Sequence, residues 1–337
     1  MDFAVIRLSS FGDIILTEPV TRAIKERHPE ARVYFIARSE FAGVPVMFEA
    51  VDEVMPYSKA GHNNEIERLG KVVDFEAVLD LQNNLRSRRI SGRLKKKRLV
   101  RYRRPVVRRF LTVKMPWLYK GNLRHTVDLY GDALARLDIP LQGRQPRIEP
   151  GGEARAKAQA RFGPVPVQGR FVALCPGGSS EFKRWPESSF AELAVLLHKS
   201  GERVMVAGSE EDRRQVEVVA ALAAEAGPMA VVSGDPAELA ALLSRMVVTV
   251  TNDSGLMHLA AAVGSMVVAV FGPTSPSLGF GPLGPRHRVI SLGLGCSPCS
   301  YHGNRPCRMK RRVCMEDLTP EEVRREVLLS LGDVEYE

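Results

Sequence analysis

The sequence predicts an α/β fold of two Rossmann-like domains facing each other across a central cleft. Short apolar runs alternate with helical stripes, which marks a parallel sheet covered by helices. The alternation occurs twice, on either side of a polar join at 141–169 that carries Pro and Gly. At 337 residues, 45% hydrophobic and 26% charged, the chain is long enough for two cores. Its composition excludes collagen-like, disordered and disulfide-framework classes. The expected domains are 1–160 and 161–318, with a terminal helix over 319–337 that packs back on the N-terminal domain.

The elements follow in order. Residues 3–8 read as a buried strand, 9–13 as a tight loop, and the next stretch to about His28 as a helix. Pro19 falls in that helix's first turns, where proline is tolerated. A strand at 33–37, a helix near 40–49, a strand ending near Pro56, a helix around 62–72 and a strand at 77–81 complete the first half. In the second half, strands are expected at 171–174, 204–207, 247–250 and 267–271. Between them, Phe190, Leu193, Ala194 and Leu197 form one stripe at i, i+3, i+4, i+7. Leu239, Leu242, Leu243 and Met246 form a second, and Leu256, Leu259, Ala260 and Val263 a third. Thr319-Pro320-Glu321-Glu322 reads as a capping box with proline at the first helical position.

The net charge of +9 is unevenly spread: residues 86–124 hold 16 Lys or Arg and no Asp or Glu, which leaves the rest at −7. A local basic segment on an acidic remainder points to one localised anionic partner. Asp2 and Arg7 stand where a signal peptide needs its apolar core, and no run approaches the ~18 apolar residues of a membrane span. A cytoplasmic protein, soluble or peripheral, is therefore expected. Four of the five cysteines lie within nineteen residues, which in a reducing compartment favours metal ligation over disulfides.

Ligands of open parallel sheets bind beyond the carboxyl ends of the strands, and three segments occupy such positions. Neither half has G-x-G-x-x-G after its first strand, and no P-loop pattern occurs, which argues against a nicotinamide dehydrogenase or a P-loop enzyme. Ser9-Ser10-Phe11-Gly12-Asp13 places a carboxylate beside glycine at a strand mouth, suited to a general base; a helix N-cap explains it equally simply. Pro176-Gly177-Gly178-Ser179-Ser180-Glu181-Phe182-Lys183 can aim backbone N–H groups, two hydroxyls and an ammonium at a phosphate. The plain alternative is a Gly-Ser turn with solvated charges. Asp253-Ser254-Gly255 opens a helix whose dipole favours anions, with His258 one turn inside; a cap and a structural histidine are the alternatives.

Taken together, the strings IRLSSFGDIILTEPVTRAIKERHP, CPGGSSEFKRWP and TNDSGLMHLAAAVGSMVVAVFGPTSP resemble the blocks of glycosyltransferase family 9, the ADP-heptose:lipopolysaccharide heptosyltransferases. Their order and spacing match over most of residues 1–318. The resemblance implies the GT-B architecture, with the acceptor in the N-terminal domain and the nucleotide sugar in the C-terminal one. It implies inverting transfer of heptose from ADP-heptose to an inner-core lipopolysaccharide acceptor of the Kdo–lipid A type. Asp13 matches the proposed general base; Ser9, Ser10 and Gly12 lie beside it, and Arg86, Arg88 and Arg89 are assigned to the acceptor side. Ser179 and Ser180 match hydroxyl positions facing the donor diphosphate, often threonines in the family, and Lys183 matches the phosphate-binding lysine. Asp253, Ser254, Gly255 and His258 match the D-[TS]-G-x-x-H block at the donor. Glu210 or Glu211 is expected to hold the donor ribose. No Asp-x-Asp occurs, so no catalytic metal is expected.

In the basic stretch, Val106, Val107, Phe110, Leu111, Met115, Trp117 and Leu118 interleave with the charges. That pattern suits phosphates and carboxylates of a glycolipid acceptor and a peripheral contact with the inner membrane's cytoplasmic face; a solvated basic loop is the alternative. Cys296, Cys299, Cys307 and Cys314 offer four thiolates for a structural zinc or iron, or else are plain reduced thiols. Two other functions stay open: the same fold acting on another nucleotide sugar, and a basic metal-containing protein that binds nucleic acid. No recognised nucleic-acid motif accompanies the basic stretch, so nucleic acid is the disfavoured partner.

Overall fold

A computed structural model describes residues 1–61, 63–115, 123–162 and 171–335. Trp117 and Leu118 lie outside the described residues. The described residues divide into two compact units, Met1–Pro105 with Arg124–Glu149, and Val106–Leu123 with Pro150–Glu337.

The first unit contains β1 (Asp2–Ile6), α1 (Phe11–Ile15), α2 (Glu18–Arg27), β2 (Arg32–Arg38), β3 (Glu53–Tyr57), α3 (Asn64–Val72), β4 (Phe75–Asp80), α4 (Leu85–Arg93) and β5 (Lys96–Arg101). Next in the chain come α5 (Val106–Lys114), which belongs to the second unit, and α6 (Thr126–Ala135), which belongs to the first. The five strands form one parallel sheet in the order β3-β2-β1-β4-β5. Its core is built by Ala4, Ile6, Tyr34, Ile36, Phe75 and Val78 with Ile66, Leu69 and Ile90 from the covering helices.

The second unit continues with α7 (Gly152–Phe162), β6 (Phe171–Cys175), α8 (Glu187–Lys199), β7 (Arg203–Gly208), α9 (Arg213–Leu222), β8 (Met229–Val232), α10 (Pro236–Leu243), β9 (Val248–Asn252), α11 (Gly255–Ala262), β10 (Met266–Val270), β11 (Arg288–Ile290), α12 (Val313–Glu316) and α13 (Pro320–Glu335). Its six-stranded parallel sheet runs β11-β10-β9-β6-β7-β8. Every residue of β6, β9 and β10 is buried, as expected for parallel strands covered on both faces. α13 lies on α8 and beside β9, β10 and β11 of this unit. The expected capping box is present: Thr319 N donates to Glu322 Oε2 at 2.8 Å and Glu322 N to Thr319 Oγ1 at 3.3 Å.

Two expectations change. The helix expected to run to His28 is two helices, α1 and α2. Pro19 has no N–H for the carbonyl of Ile15, and its ring crowds that carbonyl, so the ladder breaks at Leu16–Thr17. The helix expected near 40–49 is two 3-10 turns, Ser39–Phe41 and Pro45–Met47; Pro45 has no N–H for the carbonyl of Phe41, so no α-helical ladder runs through it. Up to Met115 the basic stretch, for which a solvated loop is the alternative reading, forms α4, the sheet-edge strand β5 and α5. On the edge strand, Lys97 pairs with Glu76 at 2.8 Å. Charge there blunts the exposed edge, so part of the +16 serves the fold.

Candidate active site

In the first sheet the chain leaves β1 toward β2 on one side and β4 lies on the other. The loops after β1 and β4 therefore part at their carboxyl ends, where a crevice for ligands opens. The two loops are tied together by Gln82, whose Oε1 accepts from Leu8 N at 3.1 Å and Ser9 N at 3.2 Å. Asp80, fully buried at the end of β4, accepts from Asn83 N and Ser87 Oγ. Burial raises its carboxyl above the usual range despite these bonds.

Asp13 sits in this crevice on α1 and is reached from two sides. Arg7 Nη2 lies 2.8 Å from Asp13 Oδ1. Ser10 donates to Oδ2 from Oγ at 2.8 Å and from N at 3.2 Å. Burial opposes its ionisation, but Arg7 and the Ser10 bonds outweigh that and hold the carboxyl below its usual range. Asp13 is thus both the N3 residue of a capping box and a preformed carboxylate; the two readings of the sequence are compatible. Arg7 is only 6% exposed, donates to Leu81 O at 2.7 Å and sits over the Tyr130 ring. Gly12 is buried in α1. Arg86, Arg88 and Arg89 are exposed on the first turns of α4, whose N-cap is Asn84; Arg88 Nε donates to Asn83 Oδ1.

In the second sheet the corresponding parting falls between β6 and β9. The loops after these strands meet there. Lys183 Nζ lies 3.2 Å from Asp253 Oδ2, which also accepts from Thr274 Oγ1 at 2.8 Å. Asn252, buried at the end of β9, donates to Pro176 O and Gly177 O, both at 2.9 Å, and accepts from Trp185 N. Asp212 Oδ1 accepts from Gly178 N at 3.1 Å. A Cβ on Gly177 would stand 2.1 Å from Asp212 Cγ, so only glycine permits this approach. Ser254, the N-cap of α11, does not cap it with its side chain; its Oγ is 3.2 Å from Thr251 Oγ1. The first N–H groups of α11, from Gly255 onward, therefore have no side-chain cap from Ser254. His258 is buried one turn further on.

Ser179 is exposed, and Ser180 Oγ donates to Gly303 O at 2.6 Å. Glu210 and Glu211 are both exposed, and Glu210 pairs with Arg213 at 2.7 Å. The structure thus gathers Lys183, Asp253 and Ser254, while Glu210 is turned to a guanidinium. The sequence reading missed Arg7, Asn252, Asp212 and Thr274. Arg7, Asn252 and Thr274 stood inside the quoted blocks, but nothing in the spacing showed what their side chains hold.

The five cysteines are free thiols. Burial, with the thiols of Cys299, Cys296 and Cys307, pushes Cys314 up to about 11. Among the described residues, however, no three His, Cys, Asp or Glu side chains are gathered as a set that could hold a metal ion.

Two parallel α/β sheets, with Asp13 at one parting and the Lys183–Asp253 pair at the other, give the GT-B fold. Residues 66–310 match the family model described as glycosyltransferase family 9 (heptosyltransferase), and the chain belongs to that family. It is 28% identical to lipopolysaccharide heptosyltransferase 2 of Salmonella typhimurium, over 97% of each chain. The structure of the E. coli ADP-heptose lipopolysaccharide heptosyltransferase II is similar with a TM-score of 0.77, at 22% identity, over 99% of this chain and 100% of the other. An iron-containing dodecameric glycosyltransferase, TibC of enterotoxigenic E. coli, shares the fold at a TM-score of 0.61 and 12% identity, over 99% of this chain and 76% of the other.

Proposed function

We propose that this glycosyltransferase moves heptose from ADP-heptose to an inner-core lipopolysaccharide acceptor of the Kdo–lipid A type, with inversion. The observation that carries the reading is the cluster at the β6/β9 parting. There Lys183, held by Asp253 at 3.2 Å, stands beside the uncapped start of α11, a setting built for a diphosphate. An ammonium has three donors, so Lys183 can keep Asp253 and still meet a phosphate. Ser179 and Ser180, the amides from Gly255 onward, and His258 complete the donor side, with Glu210 or Glu211 reaching the ribose.

Asp13 acts as general base on the acceptor hydroxyl. The freed oxygen attacks the anomeric carbon, the bond to the diphosphate breaks, and ADP carries the charge that Lys183 and the α11 amides stabilise. Arg7 and Ser10 keep Asp13 ionised and aimed, with Ser9 and Gly12 shaping the loop. Arg86, Arg88 and Arg89 offer forks to acceptor carboxylates and phosphates.

On α5, Val106, Val107 and Phe110 are 65%, 72% and 57% exposed, flanked by exposed Arg103 and Arg108. This face suits the anionic cytoplasmic side of the inner membrane, where the acceptor is held. No helix among the described residues is long and apolar enough to cross a membrane, so the contact is peripheral. Cys296, Cys299, Cys307 and Cys314, four thiols of one loop, would hold a structural zinc or iron on closing together; metal analysis of protein purified without chelators tests this. Far less than one equivalent would refute it.

The main test is a donor screen. ADP and ADP-heptose should raise the melting temperature, and Asp13→Ala should abolish transfer while preserving that stabilisation. Stabilisation by UDP or GDP but not ADP would overturn the heptosyl reading. Salt-sensitive oligonucleotide binding with no response to nucleotide sugars would favour the nucleic-acid alternative instead.

A further inference from the structure

We propose that Gly303 and Arg312, both inside the four-cysteine loop, are positioning residues for the donor-phosphate loop at 177–184. The inference rests on the donor reading above and adds to it what holds the binding groups in place.

The donor loop is held from two directions. Its first half is fixed by the sheet, through Asn252 on Pro176 O and Gly177 O and through Asp212 on Gly178 N. Its second half, with the ammonium meant for the diphosphate, is fixed by the cysteine loop. Ser180 Oγ donates to Gly303 O at 2.6 Å. The Arg312 guanidinium donates to Glu181 O and, at 3.2 Å, to Arg184 O. Glu181 O opens the 3-10 turn Glu181–Lys183 and also accepts from Arg184 N at 3.2 Å, while Arg184 O lies just past the turn's end, so Arg312 clasps the turn at both ends.

Gly303 also gives Lys183 its path. A Cβ there would stand 2.2 Å from Lys183 Cγ and 2.4 Å from Cδ. Gly303 is also at φ +64, a backbone region that disfavours side chains. The lysine stem therefore passes over a surface only glycine provides, on its way to Asp253. The cysteine loop is anchored in turn to the segment after β10: Cys299 N and Ser300 N donate to Pro273 O, and Ser297 Oγ to Gly272 O. The next residue, Thr274, is the partner of Asp253. The loop thus braces both ends of the Lys183–Asp253 pair without supplying a group to the diphosphate itself.

Calorimetric titration of the full chain with ADP tests this, with transfer kinetics measured alongside. Arg312→Ala should weaken ADP binding about tenfold through loss of its charge-assisted carbonyl bonds, and Gly303→Ala about as much by pushing the Lys183 stem off its path. Donor KM should rise and acceptor KM stay unchanged, with little change in the melting temperature of the free protein. Arg312→Lys should restore most of the affinity, because an ammonium can also reach a carbonyl. Lys310→Ala, an exposed position in the same loop, should bind ADP as the wild type does. Wild-type ADP affinity in both Gly303→Ala and Arg312→Ala would overturn this inference alone. A wild-type protein that binds no ADP would overturn the donor reading and this inference with it.

Discussion

Buried against Arg7, the Asp13 carboxylate must stay charged in a setting that disfavours charge. Burial alone would raise its pKa, and Arg7 with Ser10 reverses the direction. A carboxyl lowered on folding contributes stability that is complete above its unfolded value of about 4 and is lost as pH falls through the native value. Arg7→Met leaves burial as the main influence. The acid limb of kcat/KM should then move to higher pH, readable in a pH–rate profile. Asp13→Asn should lower transfer by a factor on the order of 10³ and also strand the Arg7 charge, costing about 3 kcal/mol in denaturant unfolding. Lys183→Ala should reduce kcat/KM by about 10²–10³ through loss of charge stabilisation on the leaving diphosphate. At this scale the sequence was informative about which groups matter, since Asp13, Lys183, Asp253 and Ser254 all lie at strand mouths. It was silent about their partners: Arg7 lies six residues from Asp13, on the other side of the turn.

Elements were legible where periodicity was strong. The stripes at Phe190–Leu197 and at Leu256–Val263 correspond to α8 and α11; their stripe positions are buried except Val263, the half-buried C-cap of α11. Periodicity misled where proline intervened, at Pro19 and Pro45, because an apolar pattern does not register a missing N–H. The helical α4 and the edge strand β5 were hidden by their charge, which obscured the apolar rhythm. Two glycine and amide contacts carry predictions for how elements join. Asn252→Ala removes partners from two buried carbonyls and an N–H and should cost about 3 kcal/mol in unfolding free energy. Gly70→Ala places a Cβ 2.6 Å from Arg93 O, forcing α3 from α4. A loss of about 1–3 kcal/mol is expected, with ADP affinity unchanged.

Across the whole molecule, each unit has its own sheet and core, and the donor groups all belong to the second. Hydrogen exchange on adding ADP should therefore slow at 176–184 and 252–258 and leave β1 to β4 unchanged. The basic stretch is shared: 86–105 belongs to the first unit and 106–123 to the second. Binding to anionic vesicles should fall steeply with salt, and Phe110→Ala with Val107→Ala should weaken it without altering ADP affinity.

The α/β class, the two-fold repetition and the chemistry of the strand mouths were determined by local sequence alone, because apolar period and turn residues act over a few positions. Which loops face one another was decided only by the parallel strand orders β3-β2-β1-β4-β5 and β11-β10-β9-β6-β7-β8. That pairing brings Lys183 to Asp253, seventy positions away, and Gly303 to Ser180 across 123. No local pattern encodes such contacts, since they arise from closing long loops against the sheet.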